Sequence, residues 1–293
     1  RKTGLDHAKG KYIIFVDADD WLEHHYLSEA EKILRQYPVD IISAGFVQET
    51  GQKALYFEDK FSEGLYEKGK MEKEIYPSML YGGSFYEFGI WPAFWTKIFR
   101  REAIEKGFQK NDEKIIIGED VAVVYPCLLE ADSIYIWKNH FYHYRYVDTS
   151  VSQKKDDSFF DKIEILFRSI DEDTRLDSIR NQIAVYKMYM TLLGIDRCFS
   201  TERSIRKAGK TVQKIREKAL YSEIIEQFDI QQDVDWQLKL KINALKKRRY
   251  FILLLYYGVH EWKIRLLSGL KAAWAIRCSS MHYTVNSNTE GKK

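Results

Sequence analysis

The chain has 293 residues, a formal net charge of +3, and 45% hydrophobic and 30% charged residues. That is enough chain for a sizeable core in one large domain or two, and it is too near neutrality for any whole-molecule field to argue for nucleic acid. Its three cysteines, Cys127, Cys198 and Cys278, are odd in number and widely spaced, which argues against a disulfide framework or a zinc site and for a reducing compartment. No apolar run approaches the roughly 18 residues of a membrane span and no signal peptide precedes the first apolar stretch, so the expected location is cytoplasmic.

The first stretch with chemistry is Lys11–Tyr12–Ile13–Ile14–Phe15–Val16–Asp17–Ala18–Asp19–Asp20–Trp21. Five consecutive apolar residues, mostly β-branched or aromatic, predict a strand buried on both faces, as in a parallel sheet flanked by helices. Open α/β sheets bind ligands beyond the carboxyl ends of their strands, which is where Asp17, Asp19 and Asp20 would stand. Three carboxylates in four positions repel one another unless a cation or donor neutralises them, and hard oxygen ligands suit Mg2+ or Mn2+. For Asp20 a plainer role is available as the cap of the next helix, with Glu23 completing a capping box.

Beyond it, Tyr26, Ala30, Ile33, Leu34 and Tyr37 recur at helical spacing before Pro38. Val39–Phe46 reads as a second buried strand, giving the strand–helix–strand rhythm of a doubly wound sheet. The span from Gln48 to Gly69 reads as a β excursion or a loop. Between Tyr76 and Arg101 aromatics gather around Gly82, Gly83 and Gly89. Such rings can form a platform for sugar C–H faces, Trp91 and Trp95 being the candidates, although core packing is the stronger explanation for any single ring. Ile115–Ile116–Ile117–Gly118–Glu119–Asp120–Val121 places two acids after a glycine, where a helix N-terminus favours carboxylates; Asp120 alone could be an N-cap. Pro126 should kink that helix or end it early. Ser133–Trp137 and Phe141–Val147 read as a final strand pair, in which His143 and Arg145 share the face opposite Tyr142, Tyr144 and Tyr146.

These segments resemble the family 2 glycosyltransferases, nucleotide-sugar enzymes of the α/β GT-A fold. Arg1–Lys2–Thr3–Gly4–Leu5 is similar to the family's "ARN-x-G" segment cut at Arg1, with Lys2 where Asn is common. Ala8–Ile13 looks like the lead-in to the acidic strand, and Asp17–Ala18–Asp19–Asp20 looks like the acidic motif itself. Trp95–Arg101 resembles "W-x-K-x-[FY]-R", Gly118–Glu119–Asp120 resembles "GED", and Tyr142–Arg145 resembles "Y-x-Y-R". The likeness covers about the first half of the chain. It implies a metal-dependent, inverting sugar transfer from a nucleotide-diphosphate donor. Asp17 and Asp19 would hold Mn2+ or Mg2+ and the donor, and Asp120 would be the catalytic base. Glu119, Trp91 and Trp95 would form the acceptor or sugar platform, and Arg145 and His143 would approach the diphosphate and the metal respectively. The likeness also implies that the GT-A sheet is N-terminally incomplete here, lacking at least one βαβ unit that supplies the base pocket.

From Gln153 onward the sequence becomes charge-rich and helical, with segments expected at Ser158–Asp171, Leu176–Phe199, Thr201–Lys218, Val234–Val259 and Glu261–Ile276. The expected organisation is a GT-A domain over 1–153, an α-helical domain over 154–285 and a disordered tail over 286–293. Lys246–Lys247–Arg248–Arg249 leads directly into an apolar-aromatic block ending at Tyr257. It could rest peripherally on the anionic inner face of the cell membrane, or equally be the basic end of a core helix. The reading overall is a glycosyltransferase acting on a glycan or lipid-linked acceptor in surface polysaccharide synthesis. Its rivals are a non-catalytic sugar- or nucleotide-binding fragment and a metal-dependent phosphotransferase. The phosphotransferase lacks a Gly-Lys-Ser/Thr phosphate loop and the threonine of an aspartyl-phosphate motif.

Overall fold

The computed structural model describes residues 1–51, 53–109, 112–146, 158–202, 204–229 and 234–267. The chain forms two compact units, one of Arg1–Gly83 with Phe88–Arg197, the other of Ser84–Glu87 with the chain from Cys198 onward. The first unit holds two sheets. One has the order β1 (Tyr12–Ile14), β7 (Lys97–Arg100), β3 (Ile41–Ala44), β8 (Ser133–Trp137), β6 (Gly64–Glu67); the other runs β2 (Trp21–Leu22), β9 (Tyr142–Arg145), β4 (Phe46–Glu49), β5 (Ala54–Phe57).

The doubly buried parallel strand expected at Tyr12–Val16 takes a different form. β1 is three residues long and antiparallel to β7, and Val16 is 48% exposed. Apolar content sets how much a segment buries, not the direction of its neighbour. Phe15 leaves the strand to pack its ring on Phe94, Phe99 and Phe108. The parallel pairing belongs to β3 with β8.

Those two strands also correct the expectations for Val39–Phe46 and for the last strand pair. β3 and β8 each cross, side by side, into the second sheet, where β4 and β9 are again parallel. β8 and β9 therefore belong to different sheets. The crossing needs Gly45: a Cβ there would lie 2.4 Å from the Asn139 carbonyl oxygen and 2.8 Å from that of Phe57. The β excursion expected after Gln48 is the antiparallel β4–β5 pair followed by β6.

Helix α1 (Lys2–His7) precedes β1, and α2 (Tyr26–Gln36) packs Tyr26 and Ala30 into a core with Val39, Ile42, Ile98 and Trp137. A short helix α3 (Lys68–Lys70) runs into a π turn at Met71–Ile75. α4 (Arg101–Gln109) packs beside α5 (Glu119–Glu130), which continues past Pro126 to Glu130 because Val121–Leu128 is buried throughout. α6 (Phe159–Glu172) and all but the end of α7 (Arg180–Thr201) lie in the unit that holds the sheets.

The second unit is helical: α8 (Ile205–Glu217), α9 (Ala219–Gln227), α10 (Trp236–Lys246) and α11 (Tyr250–Leu267). Arg216, 1% exposed, crosses its core to the Leu245 carbonyl, Ser222 and Glu226. The single helix expected over 234–259 is two, broken at Lys247–Arg249, where Arg248 takes a positive φ of 52° and the Arg249 amide returns to the Ala244 carbonyl. α11 then continues unbroken to Leu267. Among the described residues no helix is long and apolar enough to cross a membrane. The expected domain boundary at 153/154 and the tail at 286–293 lie outside the described residues.

Candidate active site

The acidic turn after β1 is built by Asp20. Its amide bonds the Asp17 carbonyl at 3.1 Å, while its carboxylate accepts from the Tyr142 hydroxyl at 2.7 Å and from the Arg145 amide at 2.9 Å. Tyr142 in turn accepts from the Asp17 amide at 3.2 Å. The turn is thus fastened to β9, and this is the correction to the capping role. α2 begins at Tyr26 behind His25, and Glu23 bonds His143. With Asp20 spent on structure, Asp17 and Asp19 are left open, Asp17 with 37% of its side chain accessible and Asp19 exposed.

The second acidic turn starts α5. Gly118 is its N-cap at φ +77°, a left-handed conformation that suits glycine, and a Cβ there would come within 2.5 Å of Leu166 and 2.9 Å of the Tyr186 hydroxyl. Asp120 is therefore not the cap. It stands in the first turn with 29% of its side chain accessible, and the packed surroundings push its carboxyl up to about 7, Arg1 pulling the other way and Glu119 and Asp17 adding to the rise. A carboxyl held near neutrality is what a general base at ordinary pH needs.

The Arg1 guanidinium joins the two turns. It reaches Asp17 at 3.4 Å, Glu119 at 3.1 Å and Asp120 at 3.5 Å, and lies 5.0 Å over the Phe94 ring. Acids about a hundred positions apart in sequence meet across one side chain. The sequence puts Arg1 in the lead-in segment and gives it no role at the site; its place there depends on where the chain ahead of α1 lies against α5, which no local pattern encodes.

Below this site Lys97 is fully buried. Its ammonium donates to the Trp91 carbonyl at 2.6 Å and to the Thr96 hydroxyl. Desolvation brings its pKa down to about 8 against the pull of Asp59 and Asp120. Asp59, also buried, accepts from the Trp91 amide at 2.9 Å and from the Ser43 hydroxyl. Lys97 is thus a buried anchor of the 91–97 segment.

The remaining expected residues divide. Trp95, 9% exposed, is stacked on Tyr142 at 4.6 Å and on Tyr144 at 5.4 Å, with Phe46 edge-on, so protein covers its faces. Trp91 is half-buried, its indole N–H on the Glu58 carbonyl. His143 and Arg145 do share a face, as the alternation predicts, and Trp21 covers it: His143 stacks on that indole at 4.8 Å and the Arg145 guanidinium lies 5.3 Å above it. Both ring nitrogens of His143 are engaged, Nδ1 with Glu49 at 2.9 Å and Nε2 with Glu23 at 3.0 Å. The pairing of Tyr142 with Asp17 and Asp20 directs the opposite face of β9 to the acidic turn, so His143 is not brought to Asp17 and Asp19.

A cavity of about 360 Å3 opens at Asp120. Arg1, Phe88, Pro92, Ile116, Glu119 and Val121 line it, with Tyr186, Tyr189 and Met190 of α7. Sequence reasoning missed the α7 residues, whose spacing signals only a helix with a packed face.

Residues 1–108 match the family described as Glycosyl transferase family 2. That segment of the chain is similar to the family 2 glycosyltransferases. Glycosyltransferase GlyA of Streptococcus pneumoniae is 24% identical over 153 residues, 52% of this chain and 21% of that protein. The uncharacterized glycosyltransferase EpsJ of Bacillus subtilis is 25% identical over 154 residues, 52% of this chain and 43% of its own. The chain spans at most about half the length of the curated relatives it matches. In fold, the chain is similar to the crystal structure of S. aureus TarS 1-349, with a TM-score of 0.54 at 13% identity, covering 90% of this chain and 70% of that one. The α/β GT-A fold with a helical C-terminal region, expected from the motifs, is thereby established.

Proposed function

We propose that the chain transfers a sugar, with inversion, from a nucleotide-diphosphate donor to a hydroxyl of a glycan or lipid-linked acceptor, in surface polysaccharide synthesis. The observation that carries this reading is the Arg1 bridge. Asp17, on the donor side, and Asp120, on the acceptor side, lie within one guanidinium's reach of each other, so a donor held at one turn presents its anomeric carbon toward the other. Asp120, poised near neutrality, takes the acceptor's proton. Arg1 offsets the repulsion among three carboxylates and keeps both turns in register.

The donor chemistry fits a hard divalent cation. Among the described residues no group of three or more His, Cys, Asp or Glu side chains could hold a metal, but Mg2+-type sites often use one or two carboxylates and complete their shell with substrate phosphates and water. Asp17 and Asp19 would hold such an ion, Mn2+ or Mg2+, and when bound it would neutralise charge on the departing diphosphate. TarS, which shares this fold, has also been crystallised in complex with UDP, and UDP is the probe this suggests. His143, expected as a third ligand, and Arg145, expected as a phosphate contact, are both left out of the proposed set: the two nitrogens of His143 are already bonded, and the Arg145 guanidinium lies over Trp21 on the same face of β9, away from the acidic turn.

Peripheral membrane contact is proposed from the second unit alone. Lys247, Arg248 and Arg249 are exposed, and α11 exposes Phe251, Leu255 and Val259 at 61%, 64% and 60%, four residues apart on one face. Cations beside an apolar stripe suit an anionic bilayer surface.

The test is a screen of nucleotide-diphosphate sugars with Mn2+ and Mg2+, read as nucleotide released in the presence of glycan acceptors. Metal-dependent, acceptor-stimulated release supports the reading. Absence of both nucleotide release with every donor and metal-dependent UDP binding would refute it.

A further inference from the structure

The cavity at Asp120 has one wall that the acidic motifs do not explain. α7 places Tyr186, Tyr189 and Met190 there, facing Phe88, Pro92 and Ile116, so seven of the eleven lining residues are apolar or aromatic, and the polar ones cluster at Arg1, Glu119 and Asp120. Its volume, about 360 Å3, lies within the range of small-ligand pockets. Tyr186 is buried at 3% exposure; burial foremost, then Tyr189 and the Asp120 charge, push its phenol well up, so it stays a neutral hydrogen-bonding group beside the Gly118 turn. Tyr189 and Phe88 are half-buried and Ile116 is 71% exposed, so these three offer surface to a ligand. The ionic part of the lining is already balanced: Arg1 is held by Asp17, Glu119 and Asp120, and among the described residues no second cation lines the cavity.

We infer that this cavity is the acceptor subsite for an uncharged pyranose, one C–H face on Tyr189 and Phe88 and the reacting hydroxyl at Asp120, and that it selects against acidic sugars. The inference rests on the sugar-transfer reading and adds the acceptor class and the element that reads it. Aromatic faces pack well on the C–H face of a ring sugar and leave its hydroxyls to polar neighbours. A uronate, in contrast, would bring a carboxylate to Glu119 and Asp120 without a spare cation, and like charges at such range repel. Specificity then comes from the unmet charge as much as from the stacking.

The experiment uses the full chain and methyl β-D-glucopyranoside, methyl β-D-galactopyranoside and methyl β-D-glucuronide as probes, with binding read by saturation-transfer NMR. Mn2+-dependent UDP binding is measured on the same preparations. The neutral glycosides should receive saturation at their ring C–H protons and the glucuronide should bind about tenfold more weakly. Tyr189→Ala should weaken neutral-glycoside binding about tenfold with UDP binding kept, and Tyr189→Phe, which retains the ring, should restore most of it. No transfer to any neutral glycoside, equal binding of the glucuronide, or unchanged binding in a folded Tyr189→Ala would each overturn the inference. Failure of the sugar-transfer reading itself would show separately, as no UDP binding in the unaltered chain.

Discussion

Two acidic turns, Asp17–Asp20 and Gly118–Asp120, carry almost the same side chains and behave differently. The first spends Asp20 on Tyr142 and the Arg145 amide and leaves Asp17 and Asp19 open to water. The second sets its Gly118 cap against Leu166 of α6 and Tyr186 of α7, and its surroundings lift the Asp120 carboxyl to about 7. Residue type does not assign the roles. In the proposed site the surroundings separate them: Asp19 is exposed and suits a cation, whereas desolvation raises the Asp120 carboxyl to about 7 and suits proton transfer.

The largest effect that would sharpen this contrast is expected at Asp120→Asn. Turnover should fall by about 10²–10⁴-fold with UDP affinity near that of the unaltered chain. Stability should not fall. A folded-state pKa raised above the ordinary 3.8 means that the folded chain binds the proton more tightly than the unfolded one, so stability declines as pH rises from about 4 toward 7, and a neutral amide removes that penalty. A lowered melting temperature with turnover preserved would instead assign Asp120 to structure. Next is Asp19→Asn, for which Mn2+-dependent UDP binding should drop at least about tenfold with an unchanged melting temperature, because a cation loses one of two charges. Unaltered metal dependence would break the comparison at its other end. Asp20→Ala should do the opposite, costing about 1–3 kcal/mol of stability by leaving the Tyr142 hydroxyl and Arg145 amide unpaired. A denaturant midpoint equal to that of the parent would refute its role as the fastening of the turn. In the second unit, changing Lys247, Arg248 and Arg249 to Gln should reduce co-sedimentation with phosphatidylglycerol vesicles, each cation contributing about 1 kcal/mol near an anionic surface. Equal sedimentation by both forms would remove the membrane contact.

Much of this was legible in the sequence because the motifs are local. An apolar run ending in carboxylates located the first turn, and glycine before two acids located the second. The 26–36 helix and the shared face of His143 and Arg145 followed from periodicity. Pairing was not legible. Val39–Phe46 gives no sign that Gly45 hands the chain to another sheet, and the apolar content of Tyr12–Ile14 cannot distinguish β1's antiparallel partner from a parallel one, since both bury the same side chains. The site was half legible for the same reason. Asp17, Asp19 and Asp120 stand out in the sequence as members of the proposed site, whereas Arg1 and Tyr189 enter the proposal only through the tertiary placement of the N-terminal segment and α7. The partners of Asp20 and His143 were not legible either, because a carboxylate or imidazole in sequence does not reveal what it bonds, here Tyr142 for Asp20 and Glu23 and Glu49 for His143.

The most direct test of the central claim, that burial makes Asp120 the base, is the pH dependence of kcat between about pH 5 and 9 at saturating donor. Ionised Asp120 is the active form, so kcat should rise about tenfold per pH unit on the acid side and level off above about 7. A profile already flat at about pH 5 would mean an ordinary carboxylate, or a different base, and would contradict the account.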